Sequence, residues 1–201
     1  MYARPLFDRY QTGFAFIILL LVSLLGMNIV SDSRLFFPAL AVFSYIFYIL
    51  LGVKGYLFVK RGRLYYLSTL LIFYALFVIF FLSNKSEWFL AKYLGVVIAA
   101  FLLFRAWLAL VTSFNFPKRE AIASAIAALL VAQMLWAVTI LPIGFISSAT
   151  ILLLLVFALS DFLVKHFTGG ISRIFTLQHL IFFTAIAAFI FFTSNWSAVA
   201  L

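Results

Sequence analysis

The chain has 201 residues, of which 68% are hydrophobic and 9% charged, with a mean hydropathy of +1.26. Soluble domains are nearer half apolar and a quarter charged, so a soluble globular fold is excluded. With 9 Gly, 4 Pro and no Cys, collagen, disordered low-complexity chains and disulfide scaffolds are excluded as well, and the missing thiols remove cysteine nucleophiles and thiolate metal sites. What remains is an all-α polytopic membrane protein.

A helix needs roughly 20 apolar residues to cross about 30 Å of hydrocarbon. In chain order, seven stretches qualify, at approximately 12–30, 36–59, 64–82, 88–113, 120–141, 143–164 and 177–195. They are continuously apolar, whereas barrel strands alternate in runs of about ten, so a single helical domain over 1–201 is expected. The first stretch is too long for a signal peptide and lacks a small-x-small cleavage site behind it. Compact polar turns separate the stretches: Asn28 to Ser33, Lys60-Arg61-Gly62-Arg63, Ser83 to Glu87, and Asn115 to Arg119. Leu141-Pro142-Ile143-Gly144 is almost free of charge. The region 120–164 is nevertheless too long for one crossing at 1.5 Å per residue, which predicts two helices and a tight hairpin. The longest connection, 165–176, holds Gly169-Gly170 and is expected to lie along the membrane surface.

Orientation follows from the cations. Assigning Lys and Arg to alternate connections places nine on one side and two on the other. Positive residues mark the cytoplasmic side, so the N-terminus is predicted inside and the C-terminus outside, as in the cytoplasmic membrane of a prokaryote. The net charge of +9 is thus a feature of topology. It implies anionic lipids at the cytoplasmic face and not a nucleic-acid partner. Tyr65, Tyr66, Trp88 and Tyr93 fall near predicted interfaces, where amphipathic rings are enriched.

Function in such a chain is sought among polar residues inside the hydrocarbon, which are rare and costly. Lys54 and Lys92 lie close enough to helix ends for their stems to carry the charge out to the headgroups. Arg105 sits about 13 Å from the predicted inner end of the fourth helix, beyond the reach of its side chain, and so calls for a partner. Asp161, in the same leaflet half of the sixth helix, is the expected one, with Glu120 at the start of the fifth helix as the other acid at that end. Together with Lys54, Lys165 and Arg173, this pair forms a candidate binding site for an anionic lipid headgroup, phosphate or carboxylate. Gln133 lies in mid-membrane on a helix rich in small residues, where Ser124, Ala128 and Ala132 permit close backbone approach. It is expected to make a helix–helix hydrogen bond near the centre of the bundle or at an intersubunit seam.

Three further patterns fall short of a known site. The seventh helix has no lysine for a retinal Schiff base. Lys54 with Arg61, and Ser172-Arg173 with His179, have the spacing of two motifs of type-2 phosphatidic acid phosphatases. Here, however, Gly62 stands for the proline, Phe183 for the final acid, and the middle histidine that would protonate the leaving group is missing. Asp161, His166 and His179 are candidate metal ligands with a spacing similar to that in the C-subunit of copper membrane monooxygenases. The gap from Asp161 to His166 is one residue too long, and Lys165 and Arg173 would repel a cation. No catalytic residue and no cofactor is therefore assigned.

The leading expectation is a non-enzymatic membrane subunit or scaffold of a larger assembly, with other membrane proteins and lipid as partners. The alternatives are a small carrier or lipid-binding protein built around Arg105 and Asp161, and an intramembrane enzyme acting on lipids.

Overall fold

The computed structural model describes residues 13–29, 40–49, 61–83, 89–112 and 117–193. Among the described residues there are seven helices: α1 (Gly13–Ile29), α2 (Leu40–Ile49), α3 (Arg61–Leu82), α4 (Phe89–Val111), α5 (Pro117–Ile140), α6 (Phe145–Thr168) and α7 (Arg173–Thr193). No strand occurs among them. Five helices, α3 to α7, are long and apolar enough to cross a membrane. A backbone in hydrocarbon must satisfy its polar groups internally, and continuous apolar helices of this length do so, which marks the chain as a membrane protein.

Several helix ends extend beyond the apolar runs. α5 begins at Pro117 instead of residue 120, α6 continues to Thr168 instead of 164, and α7 begins at Arg173 instead of 177. The physical reason is that hydrogen bonding continues through polar residues after hydropathy falls. Pro117 suits the first helical position, where its missing N–H is not needed. Lys165 and His166 occupy the last turn of α6, where cations favour the helix dipole. The expected long surface segment 165–176 therefore shrinks to a four-residue turn. Both Gly169 and Gly170 donate their backbone N–H groups to the Lys165 carbonyl, at 3.1 and 3.0 Å. Gly170 adopts φ 79°, a left-handed conformation that glycine takes without a Cβ clash. Between α5 and α6 the helix breaks over Leu141–Gly144, where the Ile143 N–H bonds the Leu141 carbonyl at 2.8 Å.

Helices α3, α4, α5 and α6 form a ring of neighbours, with α4 and α6 also touching across it. The directions follow from the contacts. Tyr66 early in α3 meets Trp107 late in α4, while Phe80 late in α3 meets Phe89 early in α4. Tyr93 of α4 donates to the Ala132 carbonyl of α5 at 2.9 Å, and Phe157 of α6 meets Tyr66 of α3 and Phe183 of α7. Thus α3, α5 and α7 run one way and α4 and α6 the other. Exposed Arg63, Lys118, Arg119, Lys165 and Arg173 consequently share one end, here called the basic end.

The most central helix is α4; of the two places the small residues of α5 suggested, the bundle centre and an intersubunit seam, α4 takes the first. Ala99, Ala100, Leu103, Phe104, Ala106, Leu108 and Ala109 of α4 are all buried. The small face of α5, Ser124, Ala127, Ala128 and Ala132, is buried too, and α4–α5 is the most extensive helix pair. Lipid tails are as apolar as leucine, so close approach through small residues, with its dispersion gain, replaces the hydrophobic drive of water-soluble cores. Phe73 and Phe104, 5.2 Å apart, and Phe77 fill the space between α3 and α4. Buried Ser68, Thr69, Ser124 and Ser160 return their hydroxyl protons to the carbonyl four residues earlier, which leaves those donors satisfied.

α1 lies on α3 and α4. Its Gly26 packs closely against α3 and α2: a Cβ there would stand 3.0 Å from Ile79 Cδ1 and 3.4 Å from the Phe43 ring. Since the nearest atom ends a side chain that can rotate, Gly26→Ala is expected to be tolerated. Gly26→Val should destabilise by roughly 1–3 kcal/mol through overpacking, measured by denaturant-driven unfolding in mixed micelles. Equal stability of the valine variant and the parent would refute this contact.

Candidate functional site

The second turn of α3, the last turns of α4 and α6 and the second turn of α7 meet near the basic end because neighbouring helices run in opposite directions. Together they assemble Tyr65, Tyr66, Trp107, Phe157, Ser160, Asp161 and His179. His179 Nε2 lies 3.3 Å from Asp161 Oδ2, with the two side chains 20% and 34% exposed, and this contact joins α7 to α6. His179 Nδ1 lies 3.0 Å from the Phe175 carbonyl. A carbonyl only accepts, so Nδ1 is the donor in this contact, and Nε2 is the ring atom turned toward Oδ2. Aromatic rings pack around the imidazole: Phe175 at 3.9 Å, Phe162 at 5.7 Å and Phe183 at 5.8 Å between centroids. Lys165 places its ammonium 5.7 Å from the Phe175 ring centre, within cation–π range.

Beside this pair, Trp107 packs between two tyrosines, its ring 4.8 Å from Tyr66 and 6.4 Å from Tyr65. The Tyr65 and Tyr66 hydroxyls and the Trp107 indole N–H are buried without a hydrogen-bond partner among the described residues. The Tyr66 hydroxyl lies beside Ser160 and within electrostatic reach of Asp161, yet it completes no hydrogen bond to either. Each such buried, unmet donor costs about 1–3 kcal/mol.

The residues expected at the site are distributed differently. Asp161 pairs with His179 and not with Arg105. The reason is depth. With α4 ending at Val111, Arg105 is only six residues, about 9 Å, from the basic end. Its long side chain can carry the charge toward the headgroups without an acid. Lys165 and Arg173 are exposed at the basic end, and Lys54 lies outside the described residues. Glu120 is 1% exposed; Thr112 donates to its Oε1, which links the end of α4 to the start of α5, where a carboxylate also suits the helix dipole. Gln133 is exposed on the outer face of α5 and makes no hydrogen bond to another helix among the described residues. His166 is exposed with its ring against Phe167. Among the described residues no three His, Cys, Asp or Glu side chains gather as a metal site, so His166 does not join Asp161 and His179.

Sequence reasoning missed Tyr65, Tyr66 and Trp107. The two tyrosines read as interfacial rings, and their depth, level with Asp161 and Arg105, was the available signal. No protein-family profile, curated protein or solved structure matches the chain.

A double-mutant cycle separates the two pairings of Asp161. Combining Asp161→Asn with His179→Asn should show a coupling of about 0.6–1.7 kcal/mol, the range of polar ties between membrane helices. Combining Asp161→Asn with Arg105→Gln should show none. The opposite pattern, read from unfolding in mixed micelles, would reinstate the arginine pair.

Proposed function

We propose that the chain is a non-enzymatic integral membrane subunit or scaffold of a larger membrane assembly. In this reading it threads the cytoplasmic membrane of a prokaryote seven times, with its N-terminus in the cytoplasm and its C-terminus outside. α1 and α2 are parts of full crossings. The distribution of nine cations against two between alternate connections supports this threading, as does the gathering of exposed cations at one end of α3 to α7. There they lie beside anionic headgroups, each worth on the order of 1 kcal/mol of attraction.

The observation that carries the subunit reading is α7. It is long and apolar enough to cross the membrane, none of its 18-residue span is buried, and α6 is its neighbour in the fold. Leu177, Leu180, Ile181 and Phe189 are each more than half exposed. Helices associate in lipid through packed surface, and α7 offers most of its own to other membrane proteins.

A second reading, a small carrier or lipid-binding protein, is favoured by the three unmet donors beside Asp161 and His179. Hydroxyl and indole N–H groups satisfy phosphate or carboxylate oxygens, and the surrounding cations would attract the same anions.

Purification in a gentle detergent, followed by mass spectrometry of proteins and lipids, distinguishes the two. The subunit reading predicts a protein partner at fixed stoichiometry that is lost when Leu180 and Ile181 on α7 are both changed to Ala. A preparation holding only anionic phospholipid, lost on Tyr66→Phe with Trp107→Phe, would overturn it in favour of the lipid-binding reading.

A further inference from the structure

The outer face of α5 carries a seam with a regular period. Ile122, Ile126, Leu129, Gln133, Trp136 and Ile140 follow one another at steps of four, three, four, three and four residues, and all six are exposed. Alternating steps of three and four are the signature of helices that pack knobs-into-holes with a left-handed crossing. From Ile122 to Ile140 the seam runs about 27 Å, nearly the full depth of the hydrocarbon. The inner face of α5 is already engaged through Ser124, Ala128 and Ala132. The helix therefore has two packing faces, and the described residues cover one.

Gln133 makes this seam more than bare apolar surface. It lies about 24 Å from the start of α5 and about 10 Å from its end, inside the hydrocarbon, where lipid offers its amide no partner. A primary amide carries both donors and an acceptor, so two of them complement each other reciprocally. Membrane insertion fixes the orientation of every copy, so a two-fold axis relating two copies stands along the membrane normal. The two α5 helices then run parallel, and Gln133 meets its own counterpart at the same depth. A symmetric contact of this kind is isologous and closes on itself. A single polar residue in an otherwise apolar seam also sets register.

We infer that the chain forms a two-fold symmetric homodimer through α5, with the two Gln133 side chains hydrogen-bonded across the axis. This rests on the reading of the chain as an assembly subunit and names its first partner as a second copy of itself. Trp136, whose ring also meets Phe89 and Tyr93 edge-on, flanks the amide pair and seals it from lipid. The opposite identity, a different membrane protein on this face, would place no two Gln133 residues together.

The chain has no cysteine, so full-length single-cysteine variants report contacts cleanly. Membranes containing Ile126→Cys, Leu129→Cys or Gln133→Cys are oxidised with copper phenanthroline, beside Leu180→Cys on α7 as the off-seam control. The dimer predicts disulfide-linked pairs of the chain at the three seam positions, in several-fold excess over the control. Molecular mass by light scattering in mild detergent provides the second measurement. Gln133→Leu should weaken self-association roughly three- to thirtyfold, the effect of a lost polar tie between membrane helices, whereas Gln133→Asn should largely preserve it. Because Gln133 faces away from the bundle, neither change disturbs the chain's own packing, which unchanged helicity would verify. Equal cross-linking at seam and control positions, or a monomer by mass, overturns the dimer. If a different stoichiometric protein accompanies that monomer, the subunit reading survives the loss; if no protein does, both fall.

Discussion

The hydrocarbon core of the membrane offers neither hydrogen bonds nor a dielectric that tolerates charge, and the architecture follows from that constraint. Backbone groups must be satisfied within each segment, so the described chain is helical. Cations must reach water, so Arg63, Lys118, Arg119, Lys165 and Arg173 stand exposed at one end of the bundle, while Lys92 near the other end donates to the Ser83 carbonyl. The connections among α5, α6 and α7 are cut to a few residues. Within the bundle, buried serine and threonine hydroxyls turn back on their own helices, which keeps polar groups off the packing surfaces.

The same constraint gives meaning to the places where it is not met. Asp161 and His179 satisfy each other across α6 and α7, and Thr112 meets Glu120 across α4 and α5. Among the described residues, Tyr65, Tyr66 and Trp107 leave three donors unmet in the interior, and Gln133 presents an amide outward. In the readings proposed above, these are the points that an acceptor-bearing headgroup inside or another helix outside would complete.

Sequence reading resolved position along the membrane normal far better than position around each helix. Depth is encoded in the apolar runs and their polar ends, and the five long spans emerge within a few residues of where hydropathy places them. Azimuth is not encoded, because lipid and a neighbouring helix are equally apolar and select no distinct face. The sequence therefore leaves both the bundle centre and an intersubunit seam open for α5 and Gln133; in the fold α4 holds the centre, the small residues of α5 form a buried face, and Gln133 stands exposed on another face. Asp161 was placed correctly in depth but given Arg105 as its partner. Its true partner was hidden by a boundary: with α7 expected from residue 177, His179 lay at the edge of a surface segment. With α7 starting at Arg173, it stands nearly two turns in, opposite Asp161. The tyrosines and Trp107 shared that obscurity, since ring contacts between helices leave no trace in linear spacing.

The central claim is that the basic end of the bundle faces the cytoplasm. Two single-cysteine variants at exposed turn positions, Ser172→Cys at the basic end and Gly144→Cys at the opposite end, test it without altering any charge. A membrane-impermeant maleimide applied to intact cells should label Gly144→Cys and should reach Ser172→Cys only after lysis. Labelling of Ser172→Cys in intact cells, or equal labelling of the two, would contradict the orientation and the charge-directed threading behind it.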